Sequence, residues 1–200
     1  MDKGIREPRQ DRAIKKKEAI IKAAYEVFSD VGFYNTNTAD IAKKAGVSTG
    51  IVYDYFNDKK DILFYVIKIY IDDVKAPIIK YLDSLSSPID VDNLVDGIID
   101  LTINVHKINA NIHNVLHSLA DTHNDINDEF LELESAITDI GVQKLIEFGF
   151  ENKNLKEKVH LIMDMVQSYA HEYLYDNHDY INYDSMKSYV AKAIKTILED

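Results

Sequence analysis

Residues 36–63, TNTADIAKKAGVSTGIVYDYFNDKKDIL, set two short helical patterns on either side of one glycine, and no other segment constrains the fold as tightly. Ala39, Ile41, Ala42 and Ala45 recur at helical spacing and run into Gly46-Val47-Ser48. A second helix is expected over 49–56, and a third opens at Asp58. Gly46 can take the positive φ that ends a helix at no steric cost. Val47 would supply the buried contact that fixes the angle between the helices, and Ser48 or Thr49 a hydroxyl cap for the second. Val52 and Phe56 lie four residues apart and should face inward, leaving Thr49, Gly50 and Tyr53 on the opposite face. Two brief helices joined by a tight glycine turn make a helix-turn-helix, whose second helix can enter the major groove of DNA.

The rest of the chain reads as helix. With 3 prolines and 7 glycines in 200 residues, long helices can run without interruption. A first helix is expected over about 11–30, with Ile20, Ala24, Val27, Phe28 and Val31 as its buried stripe and Gly32 as its stop. Thr36 and Asn37 are capping candidates for the next helix, and Asp40 in its first turn suits the helix dipole. A fourth helix should run from 58 to about 75, where Pro77 ends or kinks it. The segment 84–88 is a loop, followed by helices over about 91–108, 109–121, 126–149, 155–175 and 183–198. The expectation is an all-α chain of about nine helices. Residues 1–60 would form a three-helix DNA-binding module, with a mobile arm at about 1–10, and 61–200 a helical body for ligand binding and dimerisation.

A net charge of −11 should repel a polyanion, but the charge is unevenly divided. Residues 1–60 hold 12 Lys/Arg against 9 Asp/Glu, and residues 61–200 hold 11 against 25. Lys3, Arg6, Arg9, Arg12, Lys15, Lys16, Lys17 and Lys22 gather at the start. Phosphate attraction acts within a Debye length, ~8 Å at physiological salt, so the local surface decides. The start, MDKGIREPRQDR, lacks the apolar segment of a secretory signal, and no run approaches the ~18 apolar residues of a membrane span. Without cysteine there are no disulfides, thiolate metal sites or cysteine nucleophiles. A soluble cytoplasmic protein with no membrane partner is expected.

Together with the preceding helix, the two-helix segment resembles the DNA-binding region of the tetracycline-repressor (TetR) family of transcriptional regulators. Residues 20–28, Gly32-Phe33, Thr36, Asp40-Ile41-Ala42, Ala45-Gly46-Val47-Ser48, Gly50, Tyr53, Tyr55-Phe56, Lys59 and Leu63 carry the resemblance, which covers about the first third of the chain. It implies phosphate contacts at Thr38, Tyr55 and Lys59, and groove contacts at Thr49, Gly50 and Tyr53, with Ser48 at the helix start. Helix starts suit phosphate because unpaired N–H groups point outward there. Gly50 would let the helix sit close to base edges, while Tyr53 could bond a phosphate or lay its ring on a thymine methyl. Asp54 departs from the family's usual neutral or basic residue. No Arg, Asn or Gln stands on the reading helix, so methyl contacts and DNA shape should carry much of the specificity.

The resemblance further implies that the last two helices of each subunit join in a four-helix bundle. The apolar stripes that would form it are Val159, Ile162, Met163, Val166, Ala170 and Leu174, then Tyr189, Val190, Ala193, Ile194 and Ile197, although such stripes are also routinely internal core. A two-fold homodimer would set its reading helices ~34–36 Å apart, one DNA turn, or a multiple of it, on a near-palindromic operator. Candidate effector-lining residues are Tyr65, Ile69, Leu101, Val105, His113, His117, Phe130 and Tyr169, set against the rule that aromatic residues at helical spacing are usually core. His113, His117 and Asp121 share one helical face and could together hold a divalent metal in a helical enzyme. No nucleophile or acid–base pair stands beside them, so neither metal nor cofactor is assigned. The function implied is a repressor released from its operator by a small-molecule effector; alternatives are a regulator whose ligand promotes DNA binding or activation, and that enzyme.

Overall fold

The computed structural model describes residues 7–151 and 153–199. The first six residues of the expected arm lie outside these, and helix continues through 7–10. Among the described residues there are nine α-helices and no strand: α1 (Glu7–Val31), α2 (Thr38–Ala45), α3 (Thr49–Tyr53), α4 (Lys59–Ser84), α5 (Val91–Ile108), α6 (Ala110–Ala120), α7 (Asn124–Glu147), α8 (Leu155–Leu174) and α9 (Tyr183–Glu199). Two further boundaries differ from expectation. The helix α3 closes at Tyr53, so Phe56 packs from a turn, and α4 passes through Pro77 to Ser84 instead of ending near 75. Proline removes one backbone donor, but a helix of this length, with packing residues on both sides, absorbs the loss of a single bond.

The chain forms two compact units: residues 1–70 with 111–126, and residues 71–110 with 127–200. In the first, Ile20, Ala24 and Phe28 of α1 are buried with Ile41 and Ala42 of α2, Val52 of α3, Phe56, and Ile62, Leu63, Val66 and Ile67 of α4. The expected α1 stripe is narrower than its sequence pattern, since Val27 is half-buried and Val31 half exposed. Edge contacts of Phe28 with Phe33 and of Phe56 with Tyr65, at 5.4 and 5.5 Å between ring centroids, fill the corners. The helix α6 joins this unit: His113 is buried, and its Nδ1 lies 2.6 Å from the Tyr70 hydroxyl of α4.

In the second unit α5, α8 and α9 pack around Leu94, Val95, Ile99, Val166, Tyr169, Ala191 and Ile194. Two glycines permit close approach. A Cβ at Gly97 of α5 would collide with the Tyr81 ring of α4, and one at Gly141 of α7 would lie 2.8 Å from Val159 of α8.

Candidate nucleic-acid interface

Local chemistry sets each end of the two short helices. Asn37 caps α2, its side-chain oxygen accepting from the Ala39 and Asp40 amides at 2.9 and 3.0 Å, while the Asp40 carboxylate accepts from the Asn37 amide at 3.0 Å. Thr36 is buried and donates its hydroxyl to the Gly32 carbonyl at 2.8 Å, closing the turn after α1. At the far end of α2, Gly46 stands at φ 69°, and the Val47 amide reaches back to the Ala42 carbonyl at 3.0 Å. Val47 itself is half-buried, less enclosed than expected. Ser48 is the α3 cap, accepting from the Ile51 amide at 3.4 Å. Lys44 of α2 meets Glu26 of α1 at 2.8 Å, and this hydrogen-bonded contact lowers the Glu26 pKa and raises that of Lys44.

On α3, Val52 is 1% exposed and faces the core, while Gly50 and Tyr53 are exposed and Thr49 half-buried. A Cβ at Gly50 would meet only the Ser48 Oγ, at an ordinary 3.9 Å. Nothing among the described residues therefore demands glycine there. Tyr53, 56% exposed, places its hydroxyl 3.0 Å from Thr38 Oγ1 at the start of α2. Tyr55 is half-buried beside Phe56, with ring centroids 6.5 Å apart.

Lys59 has a firm structural engagement. Its ammonium donates to the Phe33 and Thr36 carbonyls, both at 2.6 Å, and lies 4.2 Å from the Phe33 ring centroid. It fastens the α1–α2 turn to the start of α4, and burial pulls its pKa below the ordinary lysine value. Lys17 of α1 makes a similar clamp, donating to the Tyr65 hydroxyl at 2.9 Å with its ammonium 4.1 Å from that ring centroid.

The residues named for an effector pocket divide between the two units. Tyr65, Ile69, His113 and His117 lie in the first; Leu101, Val105, Phe130 and Tyr169 lie in the second. Tyr65 faces Lys17 and Phe56, Ile69 is 37% exposed, and Tyr169 is core, donating to the Tyr183 carbonyl at 3.1 Å. Val105 and Phe130 are buried and Leu101 half-buried. The His113 and His117 rings lie 4.1 Å apart, but Asp121 is exposed beyond the end of α6, and the three do not converge as a ligand set. Sequence reasoning missed the pairing of His106 on α5 with His171 on α8, whose ring centroids are 5.0 Å apart. His106 Nδ1 donates to the Thr102 carbonyl at 2.9 Å, and burial lowers both pKa values.

Of the residues named for a subunit interface, Val159, Met163, Val166, Ala170 and Ile194 are buried in the chain's own core. Ile162, Leu174, Val190, Ala193 and Ile197 are half-buried, and Tyr189 is 74% exposed. No helix among the described residues is long and apolar enough to cross a membrane.

Residues 20–66 match the family described as bacterial regulatory proteins, tetR family. The HTH-type transcriptional regulator HbdR of Aromatoleum sp. (strain CIB) is 40% identical over 75 residues, 38% of this chain and 33% of that protein. The HTH-type transcriptional regulator BetI of Stenotrophomonas maltophilia (strain R551-3) is 33% identical over 87 residues, 42% of this chain and 44% of the relative. The chain thus spans less than half the length of these relatives. Among solved structures, a putative TetR-family regulator from Syntrophomonas wolfei superposes with a TM-score of 0.68 at 21% identity, covering 93% of this chain and 96% of that one. The fatty acid degradation regulator FadR from Bacillus halodurans does so with a TM-score of 0.64 at 18% identity, covering 97% and 96%. These likenesses are of fold.

Proposed function

From a chain that residues 20–66 place in the tetR family of bacterial regulatory proteins, we propose a dimeric DNA-binding transcriptional regulator that releases its operator when a small-molecule effector binds. One observation carries the DNA-binding part: α3 is capped at Ser48 and anchored by Val52, and it leaves Gly50 and Tyr53 exposed with half-buried Thr49 beside them. Gly50 supports it further, because its missing side chain has no internal explanation and suits a helix lying close to base edges. Thr38, whose hydroxyl lies 3.0 Å from that of Tyr53, and half-buried Tyr55 would serve phosphates at the margins of that face. Lys59 would act on phosphate chiefly through the turn it holds, since two of its three N–H groups already serve carbonyls.

A second copy of the chain would cover the outer side of α8 and α9, where Tyr189 and half-buried Ile162, Val190, Ala193 and Ile197 remain open. Two copies related by a two-fold axis would then read a near-palindromic operator. Effector release requires the ligand to bind the non-reading state better, by about 5.5 kcal/mol for near-complete switching.

The test is dissociation of a fluorescent operator while candidate compounds are titrated. Fatty acids belong in that panel, because a Bacillus subtilis relative, 45% identical over 49 residues, is a fatty acid metabolism regulator protein. Release at saturable ligand concentrations is expected. Tight ligand binding with unchanged operator affinity would reject the linkage.

A further inference from the structure

Thr38 and Tyr53 come from different helices, fifteen residues apart, and their hydroxyl oxygens lie 3.0 Å from each other. In such a pair one hydroxyl donates to the other, so only one O–H remains to be offered outward. Phosphate oxygens are acceptors only. The pair therefore presents one donor to DNA where two separate residues would present two. The bond also fixes Tyr53. Its ring is otherwise 56% exposed on a helix of only five residues, and it would be free to swing about χ1 without an anchor on α2.

We infer that Thr38 and Tyr53 act on DNA as one unit: their linked hydroxyls give a single O–H to one phosphate oxygen, and the Tyr53 ring, not its hydroxyl, meets the base edges. This rests on the proposed DNA-binding function and specifies how one corner of the same site works. The phosphate term contributes affinity without sequence information. The ring reads apolar surface, of which the thymine methyl is the one example in the major groove. Whichever hydroxyl ends the pair is the phosphate ligand, and the other is its positioning residue.

The experiment is a double-substitution cycle in the full chain. A duplex enriched from a random-sequence pool by the native protein is the probe, and Thr38→Val, Tyr53→Phe, the double variant and Thr38→Ser are compared. Losing the terminal hydroxyl should weaken binding about tenfold and losing its positioning partner about threefold. The double variant should then match the weaker-binding single variant, because the first substitution already breaks the unit. Thr38→Ser keeps the hydroxyl and should restore near-native binding, which a merely structural role for the threonine methyl would not allow. Selection repeated with Tyr53→Phe should return the same consensus. Losses that multiply in the double variant, or a changed consensus with Tyr53→Phe, would overturn the inference while leaving DNA binding intact. If the native chain enriches no duplex at all, the DNA-binding function falls and this inference with it.

Discussion

At the scale of single residues, the interface separates side chains that hold the fold from those available to a partner. Gly50 is the cleanest case, since its surroundings would accept a methyl group at 3.9 Å from Ser48 Oγ. Gly50→Ala should raise thermal stability, by up to about 1 kcal/mol, because alanine is the better helix former. The same methyl would intrude where the helix meets DNA, weakening duplex binding about tenfold. Melting curves and fluorescence anisotropy check the two effects separately, and unchanged binding would remove the close approach from the account. Lys59 is the converse case. Lys59→Met keeps the apolar stem but strips the Phe33 and Thr36 carbonyls of their charged donor, and should cost about 2 kcal/mol in urea denaturation. A loss of duplex affinity with no loss of stability would instead make Lys59 a direct phosphate ligand.

At the scale of elements, what could be read in advance was what local chemistry determines. The turn at Gly46, the inward Val52 and Phe56, and the nine helices among the described residues follow from spacing within ten residues or so. Pro77 misleads for the same reason, because a breaker signal is local whereas the packing that carries α4 past it is not. The two histidine engagements have no local signature: Tyr70 and His113 are 43 residues apart, and His106 and His171 lie on separate helices, α5 and α8. The Lys17 partner of Tyr65 is likewise hidden, because an aromatic residue at helical spacing does not announce its neighbour. The α5–α8 pair has a measurable consequence. Burial is the main force lowering both imidazole pKa values; the Thr102 carbonyl opposes it at His106, and Asp176 opposes it at His171. The unfolded chain takes up protons near pH ~6.5, where the folded chain does not. Stability is therefore complete above that pH and falls as the pH drops from there towards the lowered folded values. The melting temperature should decline as the pH drops below about 6.5, less steeply in His171→Gln. A flat profile below that pH would contradict the lowering of both imidazole pKa values by burial.

At the scale of the whole molecule, the account requires two copies, because a single five-residue helix offers too few base contacts to select one sequence. The outward residues of α8 and α9 are where a second copy would sit. Tyr189 is 74% exposed, so Tyr189→Asp leaves the chain's own core untouched and should shift sedimentation from two chains towards one. The acidic remainder beyond residue 60 would repel duplexes in any other orientation, while Lys/Arg–phosphate contacts of the first sixty residues would release counterions and make binding fall with added salt. Hydroxyl-radical footprinting of the full chain on an enriched duplex tests the central claim most directly. The account predicts two protected patches on one face of the duplex, related by a dyad, with centres about 34–36 Å or a multiple apart, both lost with a bulky side chain at position 50. Protection of one isolated patch, or of none, would contradict it.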